Sequence, residues 1–476
     1  MNCNENIVII KAKGYNKSYR SYWPEITICA LGAGIIITLG KCMLIYIIAG
    51  IIMFIIFLKP KLGIFALLFL QIGLTRSTFE LSYLEIIYIL FSIVIFIGWS
   101  AKLLLVRNKK LFKSLVNLPL SLFLLVCAFS SVKALNNGVN LVDWFRSFCV
   151  FLNMLLVFVI MNEFKTKQEI NELIWSFLLT SAAISINDIL TVAFHGSFLD
   201  ARLAGVDYIS IYYLFAIMIS IAIYLTAKDN FIVGMQLFFL FLFIFRLLVS
   251  FTRSYIIALI LGGIVFSIFC YKNCKKIKWF HFRQRMMILI LFIIFIILFC
   301  LVFGIMIKNQ NKLLFNIFIR YYERFNVLNE FQSESNISIL SRMSEAVAVW
   351  HFAKEQPILG HGFGFKYQYY RPNGVFYDVS YVHCVPLYFF LTLGLVGVVV
   401  IIWLIICVLK LNLLIINSEH DLYWKMLNIS LLSNLIAIFA VSLVSDVVIT
   451  QNTLFYLALA IGIITTTEKL VKHNKA

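Results

Sequence analysis

The sequence CVPLYFFLTLGLVGVVVIIWLIICVL, residues 384–409, contains no charged side chain. A helix needs about 20 apolar residues to cross the roughly 30 Å hydrocarbon core of a membrane. The strands of a membrane barrel would show short segments of alternating polarity instead of one continuous run. This stretch therefore predicts a helix that crosses a bilayer.

Similar apolar runs recur along the whole chain, which is 62% hydrophobic and 13% charged, with a mean hydropathy of +0.96. A soluble protein of this length does not need so much apolar surface. We predict an all-α polytopic membrane protein with about 12–14 transmembrane helices and one large extracytoplasmic loop containing short helices. The predicted spans are 24–40, 42–58, 62–74, 83–105, 117–133, 145–162, 172–194, 209–226, 230–250, 254–271, 287–307, 384–409, 426–446 and 450–466.

Lysine and arginine clusters predict the orientation of these spans. Basic loops lie on the cytoplasmic side of membrane proteins. With the predicted spans, all the clusters fall on one side, at 11–20, 59–61, 107–113, 165–167, 272–285 and 469–475. The formal charge of +18 is thereby explained without a nucleic-acid partner. The ten cysteines form no disulfide framework, since most lie in or beside apolar runs.

The same orientation predicts the organisation of the chain. A cytoplasmic tail (1–23), which lacks the features of a signal peptide, precedes a transmembrane helix bundle (24–308). An extracytoplasmic loop with an amphipathic helix (309–383) follows, then C-terminal transmembrane helices (384–466) and a second cytoplasmic tail (467–476). Both termini are expected in the cytoplasm.

The basic residues predicted at the outer mouths of the spans are mostly arginines. Positive charge is disfavoured outside, so arginines kept there need a reason. Arginine binds phosphate in a bidentate manner, which makes a phosphate site one reading. The other is that some of them snorkel or pair with acids such as Asp143 and Asp200. The arginines are Arg76, Arg146, Arg202, Arg253, Arg320, Arg324, Arg342 and Arg371.

Residues 340–356 of the outer loop are predicted to form an amphipathic helix that Pro357 ends. We expect the helix to lie on the membrane surface or to cap the outer mouth, although a packing helix of an outer subdomain fits its apolar residues equally well. Arg342, Glu345 and Lys354 lie off its apolar face. That face consists of Leu340, Met343, Val347, Trp350 and Ala353.

The sequence PILGHGFG, residues 357–364, places glycines at Gly360, Gly362 and Gly364. Such a turn can expose backbone N–H groups to an anion, or it can be a purely structural turn. The tyrosines that follow can stack on sugars or belong to an interfacial aromatic belt. No strand precedes the turn and no Lys-Ser/Thr pair of a P-loop follows it, so a nucleotide site is not indicated.

Three further polar residues lie at or in the predicted spans. His383, at the start of a span, can act as a general base, although a histidine at a helix end is more often simply polar. Arg246 lies about two helical turns before Arg253, so the two are expected to share a helix face. Arg246 and Asp188 are charges at membrane depth, where they usually face a cavity or the bundle interior. No cluster has the spacing of metal ligands.

Four sequences in this order resemble the O-antigen ligase and Wzy polymerase superfamily, from about residue 143 to residue 397. ARLAGV (201–206) and SFTRSYIIALILGG (250–263) look like its Arg-Leu-x-Gly and Thr-Arg elements. SRMSEAVAVWHFAKEQPILGHGFG (341–364) looks like its outer-loop signature, and YVHCVPLYFFLTLGLVG (381–397) like its closing His-x-x-x-Leu element. The departures are Cys384, where an asparagine is frequent, and the absence of an acidic residue before Gly394.

The resemblance implies an enzyme of the outer face of the bacterial inner membrane, with several passes, that transfers a glycan en bloc from undecaprenyl diphosphate to an acceptor hydroxyl. The reaction would invert the anomeric carbon and need no metal or other cofactor. His383 would be the general base, with Arg253, Arg202 and Arg342 as further catalytic residues. Arg146, Arg202, Arg253 and Arg246 would bind the diphosphate.

Two products are open under this resemblance. A polymerase joins repeat units of an O-antigen, capsule or exopolysaccharide, whereas a ligase moves the glycan to lipid A-core or to a protein. We favour the polymerase, because no feature specific to a lipid A-core partner is present. The partners implied are the glycan donor, a glycan or lipid A-core acceptor, membrane lipid and a chain-length regulator protein. A flippase for lipid-linked glycan is the rival class, but it should show sequence repeats, which this chain lacks.

If Arg253 binds phosphate with both arms of its guanidinium, Arg253→Lys is expected to lower transfer activity although it keeps the charge, since a lysine is a point charge. Glycan transfer at matched expression measures the effect. Full activity of the lysine variant would mean that only the charge is needed.

Overall fold

The computed structural model describes residues 43–72, 83–105, 112–195, 210–249, 253–273, 285, 287, 334–370, 376–445 and 449–473. The predicted span at 24–40 and nearly all of the one at 287–307 lie outside these residues, as does the predicted tail 1–23. Arg76, Arg202, Arg320, Arg324 and Arg371 also lie outside them.

The described residues form a helical bundle in which almost every predicted span is a helix. Eight helices among these residues are long and apolar enough to cross a membrane, which confirms the all-α polytopic fold. The helices before the outer loop are α1 (Met43–Leu58), α2 (Pro60–Leu70), α3 (Tyr83–Leu105), α4 (Asn117–Asn136), α5 (Leu141–Cys149), a 3-10 helix (Val150–Leu155), α6 (Leu156–Glu163), α7 (Lys167–His195), α8 (Ser210–Thr226), α9 (Asn230–Val249) and α10 (Arg253–Asn273).

The outer loop is more elaborate than predicted. It holds one helix of 22 residues, α11 (Glu334–Glu355), which begins earlier than expected and ends two residues before Pro357. It also holds an antiparallel hairpin of β1 (Tyr367–Tyr370) and β2 (Phe376–Val379), which no periodicity had indicated. The prediction of short helices alone was therefore incomplete. The chain then continues as α12 (Val385–Ser418), α13 (Leu422–Val441) and α14 (Gln451–His473), so part of the predicted second tail is helical.

Side-chain caps define several helix starts. The Asn140 side chain accepts a hydrogen bond from the N–H of Val142 at 2.8 Å, and Asp421 accepts one from Tyr423 at 3.0 Å. These oxygens satisfy N–H groups that have no partner within the first helical turn. These caps therefore fix the residues at which α5 and α13 begin.

The bundle has one end rich in lysine and an opposite end that carries the outer loop. Lysines of two predicted cytoplasmic clusters, and Lys102 in the last turn of α3, meet acidic residues from other parts of the chain at the first end. The pairs are Lys61–Glu169 at 3.0 Å, Lys102–Glu163 at 2.8 Å and Lys167–Glu419 at 3.3 Å. The loop contacts the other end, where Lys366 pairs with Asp143 at 2.7 Å. This separation is what the charge distribution predicts.

Helix α12 is broken at Gly394, whose φ of 67° and ψ of −167° are not helical. The break frees backbone groups within an apolar bundle, where unpaired groups are costly. The glycine turn 357–364 pairs with them. The bonds are His361 N–H to Leu391 O at 2.8 Å, Gly362 N–H to Thr392 O at 3.0 Å and Leu395 N–H to Pro357 O at 2.8 Å.

The glycine turn is thus a structural lock between the loop and the bundle. Gly360, Gly362 and Gly364 have positive φ, and a Cβ on Gly360 would lie 2.5–2.6 Å from the backbone of Thr392 and Gly394. The N–H groups of Gly360, His361 and Gly362 all donate to protein carbonyls. Lys133 of α4 donates to the carbonyl of Gly360. Of the two readings of the turn, the structural one accounts for these bonds.

Gly394→Ala is expected to lower the free energy of unfolding by about 2 kcal/mol or more, because its backbone conformation is essentially restricted to glycine. An alanine Cβ would also lie 2.3 Å from the carbonyl oxygen of Ile358. The matched control is Gly263→Ala, where nothing lies within 4 Å of the new Cβ. That variant should gain roughly 0.5–1 kcal/mol, since alanine favours a helix. Thermal unfolding of purified protein in detergent measures both, and equal midpoints would contradict the lock.

Candidate active site

His383 lies between β2 and α12, and its ring contacts Glu345 of α11. The Nδ1 atom lies 2.9 Å from Oε2 and 3.1 Å from Oε1 of the carboxylate. The Glu345 side chain is only 2% exposed, whereas that of His383 is 28% exposed. A buried carboxylate therefore holds one edge of a histidine ring that is partly open on the other side.

Two further hydrogen bonds fix the Glu345 carboxylate. The N–H of His383 donates to Oε2 at 3.1 Å, and the Tyr367 hydroxyl lies 3.2 Å from Oε1 and 2.8 Å from the carbonyl of Tyr381. Burial, and then the negative charge of Glu345, raise the pKa of the Tyr367 hydroxyl above its ordinary value. The hydroxyl consequently stays protonated and donates. A carboxylate bonded on both oxygens is fixed in orientation, and so is the ring that it holds.

This arrangement sets the chemistry that His383 can perform. When Nδ1 carries the proton and donates a hydrogen bond to the carboxylate, Nε2 is unprotonated and can accept a proton. The carboxylate also stabilises the imidazolium that forms once Nε2 takes up a proton, as in other acid–histidine pairs. The pair can therefore accept a proton from a hydroxyl placed at Nε2.

Sequence reasoning gave Glu345 no role, although a signal was present. Glu345, Val349 and Ala353 recur every four residues on α11, and all three are buried. An acidic residue on such a stripe is the feature that could have indicated the pair. The predicted apolar face is real but exposed, apart from Ala353, which belongs to the buried face. Its exposed members are Leu340, Met343, Val347 and Trp350.

Arg342 lies one helical turn before Glu345 on α11. Its Nη1 donates to the carbonyl of Val444, just beyond α13, at 3.1 Å, and the side chain is otherwise exposed. Residues three apart are neighbours on a helix surface. Arg342 and Glu345 are therefore neighbours on α11, and the role of Arg342 in a site with His383 stays a prediction.

Arg146 lies in the last turn of α5, at the same end of the bundle as the outer loop. Asp143, one turn earlier, pairs with Lys366 at 2.7 Å and thereby ties α5 to the residue before β1. The hydrogen bond to Asp143 raises the pKa of the Lys366 ammonium. Arg146 itself is half-buried.

Arg246 is buried near the end of α9 and forms an ion pair with Asp188 of α7. Its Nε lies 3.0 Å from Asp188 Oδ2, which also accepts from the Tyr213 hydroxyl at 3.2 Å. No described residue accepts a hydrogen bond from Nη2 of Arg246. The Tyr213 ring packs at a tilt against that of Tyr212, with centroids 4.4 Å apart. The charges therefore face the bundle interior, where charges at this depth are expected.

Along the chain, the remaining candidate arginines follow the two helices of this ion pair, Arg202 after α7 and Arg253 after α9. The described part of α9 ends at Val249 and that of α10 begins at Arg253. Residues 250–252 lie outside the described residues, so the expectation that Arg246 and Arg253 share one helix face stays a prediction. Arg253 opens α10, and its side chain is outside the described part, as is the whole of Arg202.

The tyrosines after the glycine turn divide between two environments. Tyr367 and Tyr369 are buried against α11, so they belong neither to an aromatic belt nor to an open sugar platform. Tyr370 is exposed and pairs with Phe376 across the hairpin, with ring centroids 4.9 Å apart. The Tyr381 ring packs edge-on against His383 at 5.6 Å.

Asp188→Asn is expected to lower the free energy of unfolding by about 3 kcal/mol, because it leaves a buried guanidinium without its counter-charge. Asp229→Asn is the control, since Asp229 is an exposed helix cap and asparagine caps equally well. Unfolding midpoints in detergent compare the two variants. Equal midpoints would show that Arg246 does not depend on Asp188.

Comparison with known proteins bears on these residues. Residues 238–402 match the Wzy_C family model, described as O-antigen ligase, and no curated protein matches the chain. The matched region includes Arg246, Arg253, Arg342, Glu345 and His383, whereas Arg146 and Arg202 precede it. The match supports glycosyl transfer of the ligase or polymerase type by a multi-pass membrane protein. Over this region the chain is therefore similar to the O-antigen ligase and Wzy polymerase superfamily, as its motifs predicted.

Proposed function

We propose that the protein transfers a glycan en bloc from undecaprenyl diphosphate to an acceptor hydroxyl at the outer face of the bacterial inner membrane, and that it polymerises polysaccharide repeat units. The contact between His383 and the buried Glu345 is the observation that carries the proposal. A hydroxyl is a weak nucleophile, so its attack needs a base at the moment of bond formation.

In this proposal the acceptor hydroxyl gives its proton to Nε2 of His383. Its oxygen forms a bond to the anomeric carbon of the donor sugar from the face opposite the diphosphate. The bond between that carbon and the diphosphate oxygen breaks, and undecaprenyl diphosphate leaves with the electron pair. The product is inverted at the anomeric carbon. Glu345 orients His383 and stabilises the imidazolium until the proton is released.

The leaving diphosphate develops negative charge, which fixed guanidinium groups stabilise. Among the described arginines, Arg342 lies on α11 three residues before Glu345, the partner of the base. We propose Arg202 and Arg253 as further catalytic arginines and Arg146 as a diphosphate ligand. Arg246 joins the diphosphate set through Nη2, because Asp188 holds its Nε.

The orientation proposed for the chain places the outer loop and the His383 site outside the cytoplasm and both termini inside it. The lysine-rich end of the bundle supports this, since basic residues concentrate on the cytoplasmic side. A lipid-linked donor presented at the outer face already carries its leaving group. The reaction there needs no nucleotide, and the sequence shows no nucleotide motif.

His383→Ala is expected to lower transfer by about 100-fold or more, the usual contribution of general base catalysis. Glu345→Gln keeps the size of the side chain but removes its charge, so kcat should fall while the KM for the donor changes little. The measurement is the rate of glycan transfer by purified protein with lipid-linked donor.

Matched controls are available on α11, the helix that carries Glu345. His351 and Glu355 are exposed and face each other at 3.8 Å one turn apart. His351→Ala and Glu355→Gln should transfer glycan at the wild-type rate. Normal product length in His383→Ala at equal expression would refute the base assignment.

The same purified system separates the three possible activities. Longer glycans on the lipid carrier indicate a polymerase. Transfer to added lipid A-core indicates a ligase, and movement of lipid-linked glycan across vesicles without a covalent product indicates a flippase. The proposed polymerase activity requires longer glycans on the lipid carrier.

A further inference from the structure

A cavity of about 190 Å³ lies within the membrane-spanning part of the bundle. One wall is a single face of α12, where Val398, Ile401, Ile405 and Val408 recur at helical spacing. Val398 and Val408 are ten residues apart, which corresponds to about 15 Å along a helix. The cavity is therefore an elongated crevice parallel to the spans.

The opposite wall is formed by α14, through Leu454, Leu457 and Ile461. These residues also share one helix face. Aromatic side chains of α4, the 3-10 helix and α13 close the remaining sides, and they are Phe123, Phe151 and Phe439. Ser442 contributes the one polar side chain of the lining.

A crevice with this lining suits hydrocarbon rather than water. A buried water needs two to four polar partners, which the lining does not provide. An empty space would cost free energy roughly in proportion to its volume. An engineered apolar cavity of about 150 Å³ in another protein stays dry and binds benzene, so this crevice can hold part of a hydrocarbon chain.

The crevice is open towards lipid on one side, and part of its lining follows His383 closely in the chain. Ile402 lines it and is 50% exposed, so a chain can enter from the bilayer. Val385, Pro386 and Phe389 form the roof, in the part of α12 before the break at Gly394. The roof begins two residues after His383, and the N–H of Val385 donates to the carbonyl of Ser442 at 3.0 Å.

We propose that this crevice binds the polyisoprenoid chain of the lipid-linked donor. The chain would lie along α12 and α14, and its diphosphate end would emerge beside the roof, next to His383. This inference rests on the proposed function, because a lipid-linked donor supplies the chain. An ordinary phospholipid fits the apolar walls as well. A crevice whose lining starts beside the base favours the lipid-linked donor, because only the donor reacts there.

The neighbouring residues Ile405 and Ile406 provide a matched test. Ile405 lines the crevice, whereas its neighbour Ile406 does not line it and is 56% exposed. Ile405→Trp fills the crevice about 10 Å below Val398, and Ile406→Trp makes the same change away from it. Each variant is assayed with two donors of identical glycan, one with undecaprenyl and one with a chain of two isoprene units.

Ile405→Trp should raise the KM for the undecaprenyl donor by roughly tenfold, the effect of losing the burial of about two methylene groups. Its activity with the short donor should stay at the wild-type level, because that chain ends above the new side chain. Ile406→Trp should match wild type with both donors. An unchanged KM in Ile405→Trp, or equal losses with both donors, would overturn the proposal.

A binding measurement keeps the inference separate from the proposed function. A polyprenyl diphosphate with a photoreactive group on its chain should label α12 and α14 in wild type and not in Ile405→Trp. Excess polyprenyl diphosphate should prevent labelling, and excess phosphatidylglycerol should not. Equal competition by both lipids would mean that any lipid fills the crevice. Labelling without glycan transfer would refute the proposed reaction and leave the crevice assignment standing.

Discussion

The hydrogen bonds between the glycine turn and the break in α12 hold the outer loop against the membrane bundle. A span broken at Gly394 exposes carbonyl and N–H groups that lipid cannot satisfy. The turn supplies their partners through His361 and Gly362. The same bonds fix where α11 ends relative to α12, so Glu345 can meet His383. The need to pair the backbone groups freed within the bilayer thus helps to place the candidate base.

Two of the charged centres in the described structure are built around a buried carboxylate. Glu345 is held by His383 and Tyr367, and Asp188 is held by Arg246 and Tyr213. A buried charge without a partner is costly, so each of these groups is fixed in position by the others. Fixed charges are what a reaction with a developing negative charge requires, since they need no reorganisation during the reaction. The crevice under the roof of α12 adds an apolar counterpart to the polar site above it.

Most of the fold could be predicted from residue order, because a membrane span needs only a local run of apolar residues. The spans at 83–105 and 230–250 differ from the helices by at most one residue at either end. The hairpin after the glycine turn could not be predicted, because its four-residue strands are stabilised by burial of Tyr367 and Tyr369 against α11. The apolar stripe predicted on α11 is largely exposed, and the buried stripe that holds Glu345 and Val349 was not predicted, since it forms only through packing against the rest of the protein.

The amino-acid sequence alone determined that the chain is a helical membrane protein, that its basic clusters are expected at one end, and that His383 and the arginines are candidates for transfer chemistry. These conclusions rest on hydropathy, charge and motif order, which are local or follow the order of the chain. The tertiary structure alone decided that Glu345 is the partner of His383, that Arg246 is held by Asp188, and that α12 and α14 leave a crevice between them. Glu345 and His383 are 38 residues apart, and Asp188 and Arg246 are 58 apart. No local pattern specifies which distant side chains meet, because that depends on how the helices pack.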